Sequence, residues 1–177
     1  MNKLLTAGLT SMILLTACQT TEMTTTQSNV EATQLDITLL GSWNGTNVPA
    51  GQQCPLYGGD GSTPPMRVDR VPDGTSEIIV QYNDRSFPPL SRNGGHGVVA
   101  YPATGNTTTL AAVPGMTADL GAGARIVTRA RSTGQFASRG YLPPCSGGRG
   151  NIYEAVITAV SADNTPLATR TIRIGRY

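Results

Sequence analysis

The chain has one histidine, His96, set between Gly95 and Gly97. An imidazole can hydrogen-bond an anion or a carbonyl of a ligand, or serve as a satisfied structural group. Asp84 lies upstream, where it can orient that ring or bond the amides of its own turn. Tyr153 opens an apolar run and either puts its hydroxyl into a cleft or packs in the core. Ser76, Ser86, Ser91 and Ser146 are available nucleophiles, but none stands in a G-x-S-x-G elbow. A Ser-His-Asp relay would need His96 and Asp84 joined in space to one of them. A single histidine and the absence of a C-x-x-C pair leave no zinc-type ligand set. Arg85, Arg92 and Arg149 lie in loop-like stretches near these residues and can attract phosphate or simply be solvated. Gly147, Gly148 and Gly150 suit either a close backbone approach to a ligand or a tight loop.

The N-terminus carries a different chemistry. Lys3 precedes an apolar stretch, Leu4 to Thr16. It is shorter than the roughly 20 residues that span a bilayer and has the proportions of a secretory signal. It ends in Leu15-Thr16-Ala17-Cys18, which resembles the lipobox of bacterial lipoproteins. Cys18 is then the thiol that takes a diacylglyceryl group and becomes the new N-terminus, with palmitate-type acyl chains anchoring it. Each buried methylene adds about 0.8 kcal/mol, so two or three chains hold a protein on a membrane. Gln19 rather than Asp follows Cys18, which under the enteric sorting rule sends the protein to the outer membrane. We therefore expect a signal peptide over residues 1–17 and a lipidated Cys18 leading a Thr-rich tether over residues 18–34. One domain follows over residues 35–177, in the periplasm or at the cell surface. The tether has almost no apolar content with which to offset its ordering entropy.

Arg and Lys together number 13 against 11 acidic residues, and Lys3 is the one lysine. With no basic run, nucleic acid is not an expected partner. Cys54 and Cys145 remain in an oxidising compartment, which suggests a disulfide, the alternative being two separate buried thiols. No cofactor is implied.

These groups must be held by a mostly β domain, because Gly and Pro punctuate the chain every eight to twelve residues or so. Strands are expected at Leu35 to Leu40, Met66 to Arg70, Glu77 to Tyr82, Gly97 to Tyr101, Ala124 to Ala130, Tyr153 to Ser161 and Leu167 to Ile174. Ile78-Ile79-Val80 is a continuous apolar run, as in a strand buried on both faces, and the run from Tyr153 to Val160 is similar. The segment Ala162 to Pro166 reads as the turn of a closing hairpin, and a short helix is expected around Pro114 to Leu120.

Three blocks occur in the order and spacing of a known family. The first runs from Cys54-Pro-Leu-Tyr-Gly-Gly-Asp60 through Ser62-Thr-Pro64 to Val71-Pro72-Asp-Gly74-Thr75-Ser76 and an apolar strand. The second is Tyr82-Asn83-Asp84-Arg85-Ser86-Phe87-Pro88, then His96-Gly97-Val98-Val99. The third is Gly140-Tyr141-Leu-Pro143-Pro144, glycines, and Asn151-Ile152-Tyr153. Together they resemble the phosphatidylethanolamine-binding protein (PEBP) family. The resemblance implies a central β-sandwich with few short helices and a small cleft near one end. There an Asp loop, a first His and a His-Arg-Tyr segment meet an anion the size of phosphate or carboxylate. Here Asp84 matches one Asp of the loop, with Asn83 or Arg85 at the place of the other. His96 and Tyr153 are kept, Gly97 replaces an aromatic residue, and Asn151 and Ile152 replace the second His and the Arg.

With the lipobox supplying a membrane anchor, the resemblance implies a binding protein that holds a small anionic or phospholipid head-group ligand through Asp84, His96, Asn151 and Tyr153, without catalysis. A second expectation is an envelope protein-interaction or inhibitor module with a vestigial cleft, since the family includes inhibitors of kinases and proteases. A third is a weak hydrolase.

Overall fold

The computed structural model describes residues 34–121 and 123–177. The expected signal peptide, Cys18 and the tether up to residue 33 lie outside the described residues. Eight strands follow in order: β1 Asp36–Leu39, β2 Met66–Asp69, β3 Glu77–Asp84, β4 Val98–Pro102, β5 Thr108–Leu110, β6 Arg125–Thr128, β7 Ile152–Val160 and β8 Pro166–Arg176. They form a three-stranded sheet, β1-β2-β5, and a five-stranded sheet, β6-β4-β3-β7-β8. Every pairing is antiparallel.

Side chains on a strand alternate between faces, and β3 shows what that does here. Ile78, Val80 and Tyr82 are sealed, while Glu77, Ile79 and Gln81 are only half-buried. The expected burial on both faces is therefore not met: one face packs on the core and the other is partly open, as also in β7. β7 lies beside β3 with Ala155 opposite Tyr82 and Ile157 opposite Val80, so its buried residues share that face. The same core takes Met66, Val68 and Leu110 from the smaller sheet. The domain is thus two sheets closed over one apolar layer, each large side chain there contributing about 1.5–3 kcal/mol by leaving water. A one-residue slip of β7 would turn Tyr153, Ala155 and Ile157 outward, so burial fixes the register.

All seven expected strands are present, with β3 running two residues further, to Asp84. β5 is an eighth strand that the sequence reading lacked. The expected closing hairpin forms: the Ser161 amide donates to the Thr165 carbonyl at 3.0 Å, and Asn164 takes a left-handed conformation (φ 65°). The helix expected around Pro114 to Leu120 does not form. Pro114 is bridged to Ser62, Met116 has φ 64°, and the Met116 amide donates to the Tyr141 carbonyl instead of along a helix. The helical pieces among the described residues are three single turns, Pro55–Tyr57, Pro88–Leu90 and Gly134–Phe136. All three border the same cleft.

Candidate functional site

The cleft lies where the central strands of the larger sheet end. Asp84 is the last residue of β3 and continues the inward-facing series of Ile78, Val80 and Tyr82. Tyr153, near the start of β7, is its direct cross-strand partner. His96 sits just before β4, its amide donating to the Tyr82 carbonyl at 2.9 Å. Asn151 precedes β7 and swings its amide back over Asp84. Three neighbouring strands thus deliver Asp84, His96, Asn151 and Tyr153 to one cavity of about 620 Å³.

The hydrogen bonds define what each group can still offer. The Asn151 amide nitrogen donates to one Asp84 oxygen at 2.7 Å, and the Ser86 amide donates to the other at 2.9 Å. The Asp84 residue is only 4 % exposed, yet none of the four ion pairs among the described residues includes it. His96 Nδ1 lies 2.8 Å from the Leu142 carbonyl oxygen. A carbonyl only accepts, so Nδ1 carries the proton. The Leu142 amide donates in return to the His96 carbonyl, which fixes the backbone beneath the ring. Burial pushes the His96 pKa down, against the raising effects of the Leu142 carbonyl and the nearby Asp84 charge. The ring is therefore neutral near pH 7 and Nε2 is a bare acceptor. The Tyr82 hydroxyl is the one sealed side-chain polar atom without a partner among the described residues. Nε2 likewise has no partner among the described residues and is not sealed, so it opens to the cleft that His96 lines.

Tyr153 packs edge-on against His96, ring centroids 5.3 Å apart and planes at 82°. Its hydroxyl accepts from the Cys145 amide at 3.1 Å. Burial, above all, raises the phenol pKa, with the Asp84 charge adding to it, so the hydroxyl keeps its proton.

Several supports were not visible in the sequence. Asn83, the neighbour of Asp84, accepts from the Gly94 and Gly95 amides at 3.0 and 3.2 Å and so holds the turn that presents His96. Arg131 donates to the carbonyls of Pro89, Arg92 and Asn93, bracing the loop above the cleft. A disulfide joins Cys54 to Cys145, as the even cysteine pair suggested, and Cys145 itself lines the cavity. Of the three arginines placed near the site from sequence, Arg149 lines the cleft and Arg85 and Arg92 do not. Arg85 pairs with Glu154 and donates to the Ser91 carbonyl. Three more aromatic side chains, Tyr57, Phe87 and Phe136, line the cavity beside polar and aliphatic residues such as Gln135 and Leu142. The chain has two phenylalanines, and both are here rather than in the core.

The arrangement contains no Ser-His-Asp relay among the described residues. The imidazole proton goes to a backbone carbonyl, the Asp84 oxygens face Asn151 and the Ser86 amide, and the Ser146 hydroxyl donates to the Tyr177 carbonyl.

No model of a known protein family matches the sequence, and no curated protein matches it. Among solved structures, the chain is similar to a crystal structure of a phosphatidylethanolamine-binding protein homolog from Chlamydia trachomatis, with a TM-score of 0.50 and 20 % identity. The match covers 82 % of this chain and 97 % of that one. At such identity the likeness speaks for the fold, and it agrees with the three sequence blocks read above: this is a PEBP-like fold on a divergent sequence.

Proposed function

We propose that the protein is a membrane-anchored binding protein that holds a small anionic or phospholipid head-group ligand in this cleft, without making or breaking bonds. The observation that carries this reading is the convergence of Asp84, His96, Asn151 and Tyr153 on one preformed cavity. A concave site with a few fixed polar groups and an apolar wall is the usual form of a small-molecule pocket. Of the two ligand classes, the phospholipid head group fits better, because the inner end is richer in acceptors than in donors. The anchor rests on the lipobox-like Leu15 to Cys18 and places the domain beside a membrane, on the periplasmic or outer face of the outer membrane. A lipid head group would then be within reach of the tether.

The test is a thermal-shift titration of the protein and of His96→Ala with glycerophosphoethanolamine. A ligand at 100 times its Kd stabilises by roughly 2.7 kcal/mol, and in a domain of this size that is a rise of roughly 5–10 °C. The rise should vanish in His96→Ala. No rise with glycerophosphoethanolamine, phosphoethanolamine, phosphate or acetate would remove the case for a working cleft. Cys18→Ser should move the protein from the membrane fraction to the soluble one; unchanged membrane fractionation would remove the case for the lipid anchor.

A further inference from the structure

The inner end of the cleft is built to receive hydrogen-bond donors. Asp84 brings a carboxylate whose two oxygens each keep acceptor capacity beyond the single bond they make. His96 brings Nε2 as a lone-pair acceptor. The Asn151 amide, which could have donated to an anion, is turned into Asp84. Of the two guanidinium groups lining the cleft, Arg131 gives its donors to three backbone carbonyls. Arg149 is exposed, with Nη1 on the Ser146 carbonyl, so it stands at the rim.

An anion pushed into this end would meet a buried carboxylate and a lone pair, set against the single proton of the Tyr153 hydroxyl. A cation would meet a carboxylate that has no ion-pair partner in the described protein. A buried charge without a counter-charge is expensive, and a ligand that supplies one recovers that cost. The aromatic wall has the same preference. Tyr57, Phe87, Phe136 and Tyr153 line the cavity, and the faces of such rings attract ammonium groups.

We propose that the cleft recognises its ligand by an ammonium group, seated against Asp84 and His96 Nε2 beside the aromatic wall, with any phosphate left at the rim near Arg149. This rests on the ligand-binding reading above and narrows it, because it makes the cationic end of a zwitterionic head group the selected part. In such a head group the ammonium is terminal and enters first. The phosphate follows and stays at the opening.

The test uses the mature lipoprotein in a neutral maltoside detergent, titrated with ethanolamine, choline, phosphoethanolamine, phosphate and acetate, each followed by thermal shift and calorimetry. Ethanolamine should bind, and choline should bind more weakly because it has no N–H to give Asp84 and Nε2. Phosphoethanolamine should bind more tightly than ethanolamine, and phosphate and acetate alone should not bind. Asp84→Asn combined with Asn151→Asp keeps the side-chain pair but moves the charge. Amine binding should weaken on the order of 10- to 100-fold, as expected for a lost charged hydrogen bond. Phe87→Leu with Phe136→Leu keeps apolar volume on an accessible surface and should weaken amine binding roughly threefold to tenfold. The second variant decides the matter if the first does not fold.

Binding by phosphate as tight as by phosphoethanolamine, with none by choline or ethanolamine, overturns the ammonium proposal and leaves the head-group cleft standing. No binding by any compound, nor by vesicles containing phosphatidylethanolamine, overturns both. Glycerophosphoethanolamine separates the sources of the ammonium. Tighter binding than free ethanolamine points to a lipid head, and equal binding points to a soluble amine; either result supports recognition through the cation.

Discussion

Removing the Cys54–Cys145 bond tests stability and the cleft at once. The two cysteines are separated by 91 residues, and their Cα atoms lie 5.2 Å apart. Cross-linking a loop of about 90 residues removes chain entropy from the unfolded state worth roughly 4.6 kcal/mol at 25 °C. A domain of about 140 residues unfolds with an entropy near 0.3 kcal/mol per kelvin, so the loss should lower Tm by about 15 °C. The perturbation is Cys54→Ala with Cys145→Ala, which avoids leaving a lone thiol, and the assay is scanning calorimetry beside the wild type. The bond also ties two walls of the cavity. Tyr57 belongs to the turn that begins right after Cys54, and the Cys145 amide donates to the Tyr153 hydroxyl at 3.1 Å. The ligand-induced rise in Tm should therefore shrink in the double variant as well. A Tm drop of under about 5 °C would refute the unfolded-state reasoning. An unchanged ligand response would refute the claim that the bond positions the site.

Two further outcomes follow from the same geometry. His96 is buried in its neutral form, so its folded pKa lies below its unfolded value of about 6.5. The stability this contributes is fully present above pH 6.5. It is lost as pH falls from there through the folded pKa, because only the unfolded chain takes up the proton readily, with a slope approaching about 1.4 kcal/mol per pH unit. Urea midpoints at pH 7.5 and 5.5 should show this increment in the wild type and not in His96→Asn; identical pH dependence in both would contradict it. Asn83→Ala should strand the Gly94 and Gly95 amides, costing about 2–4 kcal/mol in total. Hydrogen exchange at Gly94 to His96 should speed up, and unchanged exchange there would show that Asn83 does not hold the turn.

Strand positions were legible wherever an apolar run was long enough, as in β3 and β7, although the one-sided burial of those strands was not. Those two strands also carry the site, so the register that buries Val80 and Ile157 necessarily sets Asp84 opposite Tyr153. That Asp84, His96, Asn151 and Tyr153 meet at one cavity agrees with the order of the three motif blocks. Their polarity could not be read in that way. Which way the Asn151 amide points, and which imidazole nitrogen keeps a free lone pair, depend on Leu142 and on contacts 67 residues apart. β5 escaped notice because Thr108-Thr109-Leu110 is too short to show a period; its place comes from pairing with β2. Pro114 to Leu120 looked helical only in isolation, since tertiary partners claim its backbone groups. Arg131 gave no local sign because its partners are backbone carbonyls some 40 residues earlier in the chain.

That last contact bears on how the rim could change over evolution. Pro89, Arg92 and Asn93 meet the Arg131 guanidinium only through carbonyl oxygens, which every amino acid has. Arg131 therefore sets the shape of the loop without fixing its side chains. Asn93 is constrained by its left-handed backbone, with φ 52°, but Arg92 is not. Variation at Arg92 can alter what the mouth of the cleft presents to an arriving molecule while the braced backbone beneath it stays in place.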